Sequence, residues 1–156
     1  MNTDYYDYLN TARVKNAFAS RKSPYQIIWN LSYNCNFNCV YCSNPLIRKV
    51  RELKELPIEQ IKKILLDLKK NHVKEVYFTG GEPLLRKDFL DIIKFAAILG
   101  LTCDFVTNGS MIDPEMAEKI IKADVRSVMV SIHSYKPQIQ DSLTKFKGGL
   151  KKSISG

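Results

Sequence analysis

Cys35, Cys39 and Cys42 form a C-x3-C-x2-C array within eight residues of a chain that has four cysteines in all. Crowded thiols oxidise readily. Such an array makes chemical sense where thiolates bind a soft metal or an iron–sulfur cluster. The paired C-x2-C spacing of zinc ribbons is not the spacing here. His72, His133 and Cys103 complete the inventory of histidine and cysteine, and none gives a compact fourth-ligand pattern. A [4Fe–4S] cluster on three thiolates keeps one iron open to a substrate or cofactor, as catalytic metal centres keep an open position. On spacing alone zinc stays open as an alternative. A second group, Gly80-Gly81-Glu82-Pro83, carries a different chemistry. The two glycines allow backbone to approach a ligand. Glu82 can accept hydrogen bonds from an ammonium group, and Pro83 stiffens the exit. Taken alone, these four residues are equally an ordinary turn.

Both groups follow strand-like runs. The first expected strand covers 25–32, with Ile27, Ile28, Trp29 and Leu31, and the cysteines come directly after it. A charged connection over 43–56 leads to a helix opening at Pro57, a residue suited to a first helical position. Ile58, Ile61, Leu65 and Leu68 supply its apolar face, and Asn71 stops it. The pattern then repeats. Strand 74–79 is followed by helix 87–99, which buries Phe89, Ile92, Ile93 and Ala96 and is capped by Gly100. Strand 102–107 ends in Asn108-Gly109. The next helix has Asp113 as N-cap, Pro114 at its first position, and Met116, Ala117, Ile120 and Ile121 on its apolar face. Strand 127–132 contains Val128, Met129 and Val130, and a poorly patterned helix over 137–152 follows. Residues 1–24 read as an N-terminal arm, weakly helical over 12–19, and residues 25–156 as the core domain. Strand–helix alternation with short loops predicts an α/β fold with a parallel sheet. Active sites in such folds gather at the C-terminal ends of the strands. The cysteines, Gly-Gly-Glu-Pro, Thr107-Asn108-Gly109 and Ser131-Ile132-His133-Ser134 all fall there, so parallel strands put them on one rim.

Composition narrows the class. The chain has 156 residues, 45% hydrophobic and 10% aromatic, which predicts one domain with a real core. No signal peptide is evident and the run 95–101 is too short to span a bilayer. A reducing cytoplasm is therefore expected, and there free cysteines point to metal or catalysis. The net charge is +8. It reads as a solvated surface; no aromatic-interleaved motif supports a nucleic-acid partner.

The cysteine loop after the first strand, with Gly-Gly-Glu-Pro after the second, resembles the radical S-adenosylmethionine (radical SAM) superfamily over roughly residues 25–150. The resemblance implies that Cys35, Cys39 and Cys42 hold a [4Fe–4S] cluster. It implies that S-adenosylmethionine chelates the open iron and is cleaved reductively to a 5′-deoxyadenosyl radical, which abstracts hydrogen from a substrate. It places the methionyl amino group at Gly80, Gly81, Glu82 and Pro83, the adenine near Tyr41, and further cofactor contacts at Asn108, beside Thr107, and at Ser131. His133 falls where many relatives carry Asp. Cys103 reads as a packed strand residue and His72 as a surface one. The stretch 28–36 is similar to the branch holding peptide-modifying enzymes and the molybdopterin-precursor cyclase, which suggests a peptide substrate. A flavodoxin- or ferredoxin-like protein is the implied electron donor.

The family core is a partial TIM-type barrel of six strand–helix units, and about four are legible here. Strand four would then carry an unpaired edge. The alternative to a complete enzyme is a truncated, catalytically incomplete cluster-binding remnant, or a subunit completed by another chain or by self-association through that edge.

Overall fold

In a computed structural model the protein is described over residues 24–42 and 55–155. Nearly all of the expected N-terminal arm, and most of the 43–56 connection, lie outside these residues.

Four strands form one sheet in the order β1-β2-β3-β4 (β1 Gln26–Ser32, β2 Glu75–Gly80, β3 Thr102–Thr107, β4 Ser127–Val130), every neighbouring pair parallel. Sequential order without a reversal is the order of a barrel wall; a doubly wound sheet reverses at its switch point. The connections are helices α1 (Ile58–Lys70), α2 (Phe89–Ile98) and α3 (Pro114–Lys122). The expected α/β partial barrel with four strand–helix units is thus the observed architecture.

One face of the sheet carries the core. Leu31, Val76, Phe78, Cys103 and Phe105 point into it and join Ile61 and Leu65 of α1, four residues of α2 and Ile120 of α3 in one buried cluster. The α2 residues are the four expected ones, Phe89, Ile92, Ile93 and Ala96. Phe89 sits edge-on between Phe78 and Phe105 at 5.9 and 5.1 Å, a preferred aromatic arrangement. The opposite face is more open among the described residues, although Asp104 on it is buried and Tyr77 and Val106 are half-buried. There Ile28 is 68% and Met129 56% exposed. Near the N-terminal end of this face, Arg126 pairs with Asp104 and Glu75, the latter at 2.7 Å.

Other boundaries differ for local reasons. Pro57 caps α1 in an extended conformation and is not its first helical residue. Ile121 is exposed, so the apolar face of α3 is narrower than its sequence suggests. Strand four ends at Val130, although the Ser131 N–H still donates to Thr107 O at 2.9 Å. The single helix expected over 137–152 is two, α4 (Pro137–Thr144) and α5 (Gly149–Ser155). Lys145 and Gly148 between them have positive φ, a conformation no right-handed helix continues through. The Asp113 cap is as expected, its carboxylate accepting from the Met116 N–H at 2.7 Å.

Candidate cofactor site at the C-terminal rim

The rim residues converge. Cys35, Cys39 and Cys42 line one cavity of about 960 Å³ together with Tyr41, Gly80, Gly81, Glu82, Thr107, Asn108, Ser131 and His133. Cavities of this size hold drug-sized ligands. All four cysteines are free thiols. Among the described residues no three His, Cys, Asp or Glu side chains group tightly enough for one metal ion. All three cysteines line the same cavity. Pro83 is buried and opens a short 3-10 turn, Pro83–Leu85, outside the lining. Cys103 is buried on the helix side of β3, and burial pushes its thiol up to about 12. His72 is exposed beyond the end of α1.

The glycine turn holds the cysteine loop. The Gly81 N–H donates to Ser32 O and the Glu82 N–H to Asn34 O, both at 2.7 Å. A Cβ on Gly80 would meet Ser32 O at 2.2 Å, and one on Gly81 would meet Asn34 O at 2.1 Å. The close approach that requires both glycines is therefore to the protein's own backbone just ahead of Cys35. Gly80 also sits at φ +127°, a region open to glycine alone.

Glu82 is almost fully buried. Its carboxylate accepts from Thr107 Oγ1 at 2.7 Å, the Asn108 N–H at 2.8 Å and the Leu84 N–H at 3.2 Å. It ties the end of β2 to the end of β3. A carboxylate offers about four acceptor positions, so one stays unfilled among the described residues, and Glu82 lines the cavity. Burial holds its pKa above the usual carboxylate range, opposed by these three hydrogen bonds. Burial likewise raises the Cys35 thiol, opposed by the Phe37 N–H at 3.4 Å and reinforced by Glu82 and the neighbouring thiols. Burial, and then a hydrogen bond with Cys39, raise Tyr41. A bound metal centre reverses this logic at the thiols, because coordination deprotonates them.

Several residues of the site gave no motif in the sequence. Asn36 donates to Ser110 Oγ and accepts from Asn108 Nδ2, both at 2.8 Å, so the Asn108 side chain is engaged in holding the cysteine loop to β3. Glu55 accepts from Ser32 Oγ at 2.6 Å and faces Arg86 at 3.5 Å. The Arg86 side chain is 6% exposed and clasps Asp88 with two nitrogens, at 2.6 and 3.0 Å. From the other side, the Asn38 N–H donates to Thr144 O at 2.9 Å and the Val40 N–H to Leu143 O at 2.8 Å. Phe37 stacks on Phe146 at 4.5 Å, and Ser153 of α5 donates to Asn108 O at 2.6 Å. The poorly patterned C-terminal stretch is thus the buttress of the cysteine loop. Its polar buried residues hid the pattern.

The model of the Radical SAM superfamily matches residues 29–155. The chain belongs to the radical SAM superfamily. A PqqA peptide cyclase of Bradyrhizobium diazoefficiens is 28% identical over 131 residues, covering 84% of this chain and 34% of that protein. An Fe-coproporphyrin III synthase of Methanosarcina barkeri is 32% identical over 131 residues, 84% of this chain and 31% of that protein. The chain therefore spans about a third of the length of these relatives. Among solved structures, Streptococcus suis SuiB bound to its precursor peptide SuiA shares the fold, with a TM-score of 0.70 at 20% identity, covering 94% of this chain and 34% of SuiB. SuiB bound to S-adenosylmethionine scores 0.68. No helix among the described residues is long and apolar enough to cross a membrane.

Proposed function

We propose that residues 25–156 form the cofactor-binding part of a radical SAM enzyme. The observation that carries this reading is the convergence of three free thiols and the Gly-Gly-Glu turn on one cavity. The donor set fits the implied group: three free, soft thiols lining one cavity suit an iron–sulfur cluster. Cys35, Cys39 and Cys42 would hold a [4Fe–4S] cluster, with no fourth protein thiol at the cavity. When bound, the cluster and S-adenosylmethionine supply a 5′-deoxyadenosyl radical for hydrogen abstraction, chemistry that belongs to the cofactors.

The chain's own residues bind and orient. The spare acceptor position of Glu82 and the backbone of Gly80 and Gly81 suit the methionyl ammonium group. A buried carboxylate in a low-dielectric wall attracts such a cation more strongly than one in water. Tyr41 offers a ring face for the adenine, and Asn108 and Ser131 offer polar contacts for the rest of the molecule. The Asn36–Asn108 and Gly81–Ser32 bonds fix the loop so that these groups need not reorganise on binding.

The substrate reading is a peptide, supported by the cyclase named for one and by the SuiB complex. The similarity to an Fe-coproporphyrin III synthase supports a second reading, a tetrapyrrole. Complete turnover calls for more barrel wall than β1–β4, supplied along the β4 edge by further chain or a second subunit, and for a one-electron donor of flavodoxin or ferredoxin type. Anaerobic reconstitution with iron and sulfide, followed by dithionite and S-adenosylmethionine, tests the reading, and 5′-deoxyadenosine is the expected product. A well-loaded cluster whose paramagnetic resonance signal shifts with S-adenosylmethionine but yields no deoxyadenosine identifies an incomplete subunit. A signal that does not respond at all sinks the cofactor reading.

A further inference from the structure

We propose that Gln140 and His133 are positioning residues that hold the cysteine loop from the β4 side. Gln140 lies on α4 and is fully buried. Its side-chain oxygen accepts two backbone N–H groups, those of His133 and Ser134, both at 3.0 Å. The side-chain nitrogen has no partner among the described residues. An apolar residue of the same length would fill the space but leave those two N–H groups without this acceptor, so the amide does more here than pack. Three and four residues further along the same helix, Leu143 O and Thr144 O accept the N–H groups of Val40 and Asn38. Thr144, also fully buried, returns its hydroxyl to Gln140 O at 2.9 Å. The circuit closes at the cavity, where the His133 ring packs on Tyr41 with centroids 4.2 Å apart.

The contacts form a ring: cysteine loop to the end of α4, α4 through Gln140 to the backbone after β4, and His133 back to Tyr41 beside Cys42. Two attachments of this kind restrain a loop far more than either alone, because the second closes at high effective concentration. The segment after β4 thereby governs how firmly Cys39, Tyr41 and Cys42 are held. This deepens the proposed cofactor reading, but its first test does not depend on it.

Hydrogen exchange on the reduced, metal-free full chain reads the link directly. Gln140→Leu is expected to raise exchange at the Asn38 and Val40 amides about tenfold while β2 amides stay protected, a local opening and not global unfolding. Gln140→Glu keeps an accepting oxygen and is expected to restore protection. His133→Ala, at an exposed position, is expected to raise exchange at Val40 without altering β2, and it carries the test if Gln140→Leu fails to fold. Unchanged protection at Asn38 and Val40 in Gln140→Leu with an intact β2, or in His133→Ala when the first variant does not fold, overturns the proposal. So does equal exposure in Gln140→Glu and Gln140→Leu. In reconstituted protein, S-adenosylmethionine should bind Gln140→Leu about tenfold more weakly than wild type. A wild type that binds none refutes the cofactor reading and leaves the exchange result standing.

Discussion

Gly81→Ala is the sharpest test of how the rim is built. Gly81 has an ordinary backbone φ, so alanine meets no conformational penalty there. Its effect is steric. The added Cβ would lie 2.1 Å from Asn34 O, 2.6 Å from Asn34 C and 2.9 Å from Tyr33 C. All three are backbone atoms and cannot rotate away. The turn and the cysteine loop must separate, which strains or breaks the Gly81–Ser32 and Glu82–Asn34 bonds. Overpacking of this kind costs about 1–3 kcal/mol, and each lost hydrogen bond about 0.5–1.5 kcal/mol. With both bonds lost the sum is about 2–6 kcal/mol, or a thermal midpoint lowered by about 4–24 °C for a chain of this size. Gly148→Ala is the control. It sits at φ +76° with nothing within 4 Å of an added Cβ, so it should cost only the left-handed penalty of about 1–2 kcal/mol. Thermal melts of the reduced apoprotein, with iron content after reconstitution, check both variants. Gly81→Ala should lose iron retention and Gly148→Ala should keep it. If Gly81→Ala melts and loads iron like wild type, the glycine turn does not hold the cysteine loop and the reasoning fails.

Arg86→Met strips the buried guanidinium from Glu55, Asp88 and the Leu56 carbonyl; denaturant unfolding should show a loss of about 3 kcal/mol, at the low end for a buried ion group because its carboxylates are partly exposed. Alanine at Cys35, Cys39 or Cys42 should abolish iron binding after reconstitution, whereas Cys103→Ala should keep it, and Cys103 should resist alkylation in the folded protein. Hydrogen bonding from Arg126 holds Glu75 below the usual carboxylate range. Its stabilising contribution is therefore complete above the unfolded carboxylate value of about 4.3 and is lost as pH falls through the depressed folded value. Arg126→Ala should flatten that acid limb in pH-dependent melts, and added salt should weaken it in wild type.

Much of the protein was determined by local pattern. Helical spacing named all four buried residues of α2, and Ile61 and Leu65 of α1, because amphipathic periodicity is a property of neighbours in the chain. Strand–helix alternation implied a parallel sheet, and a parallel sheet must gather the ends of its strands on one rim. That was enough to bring the cysteines, Gly-Gly-Glu, Asn108 and Ser131 to a common place. The resemblance of those motifs then pointed to the superfamily. Tertiary structure alone decided what the motif residues do to one another. Gly81 is small because Asn34 passes over it, and Glu82 is buried because Thr107 and Asn108 complete its hydrogen bonds. Asn38 and Val40 find their acceptors at the end of a helix far along the chain. The same packing decided the more open face of the sheet, where the apolar Ile28 and Met129 are exposed. Periodicity encodes which side of an element is apolar, whereas pairing between distant segments depends on how the elements stack. The cysteine array was therefore legible from the first reading, while the clasp that holds it could be seen only once the chain was folded around it.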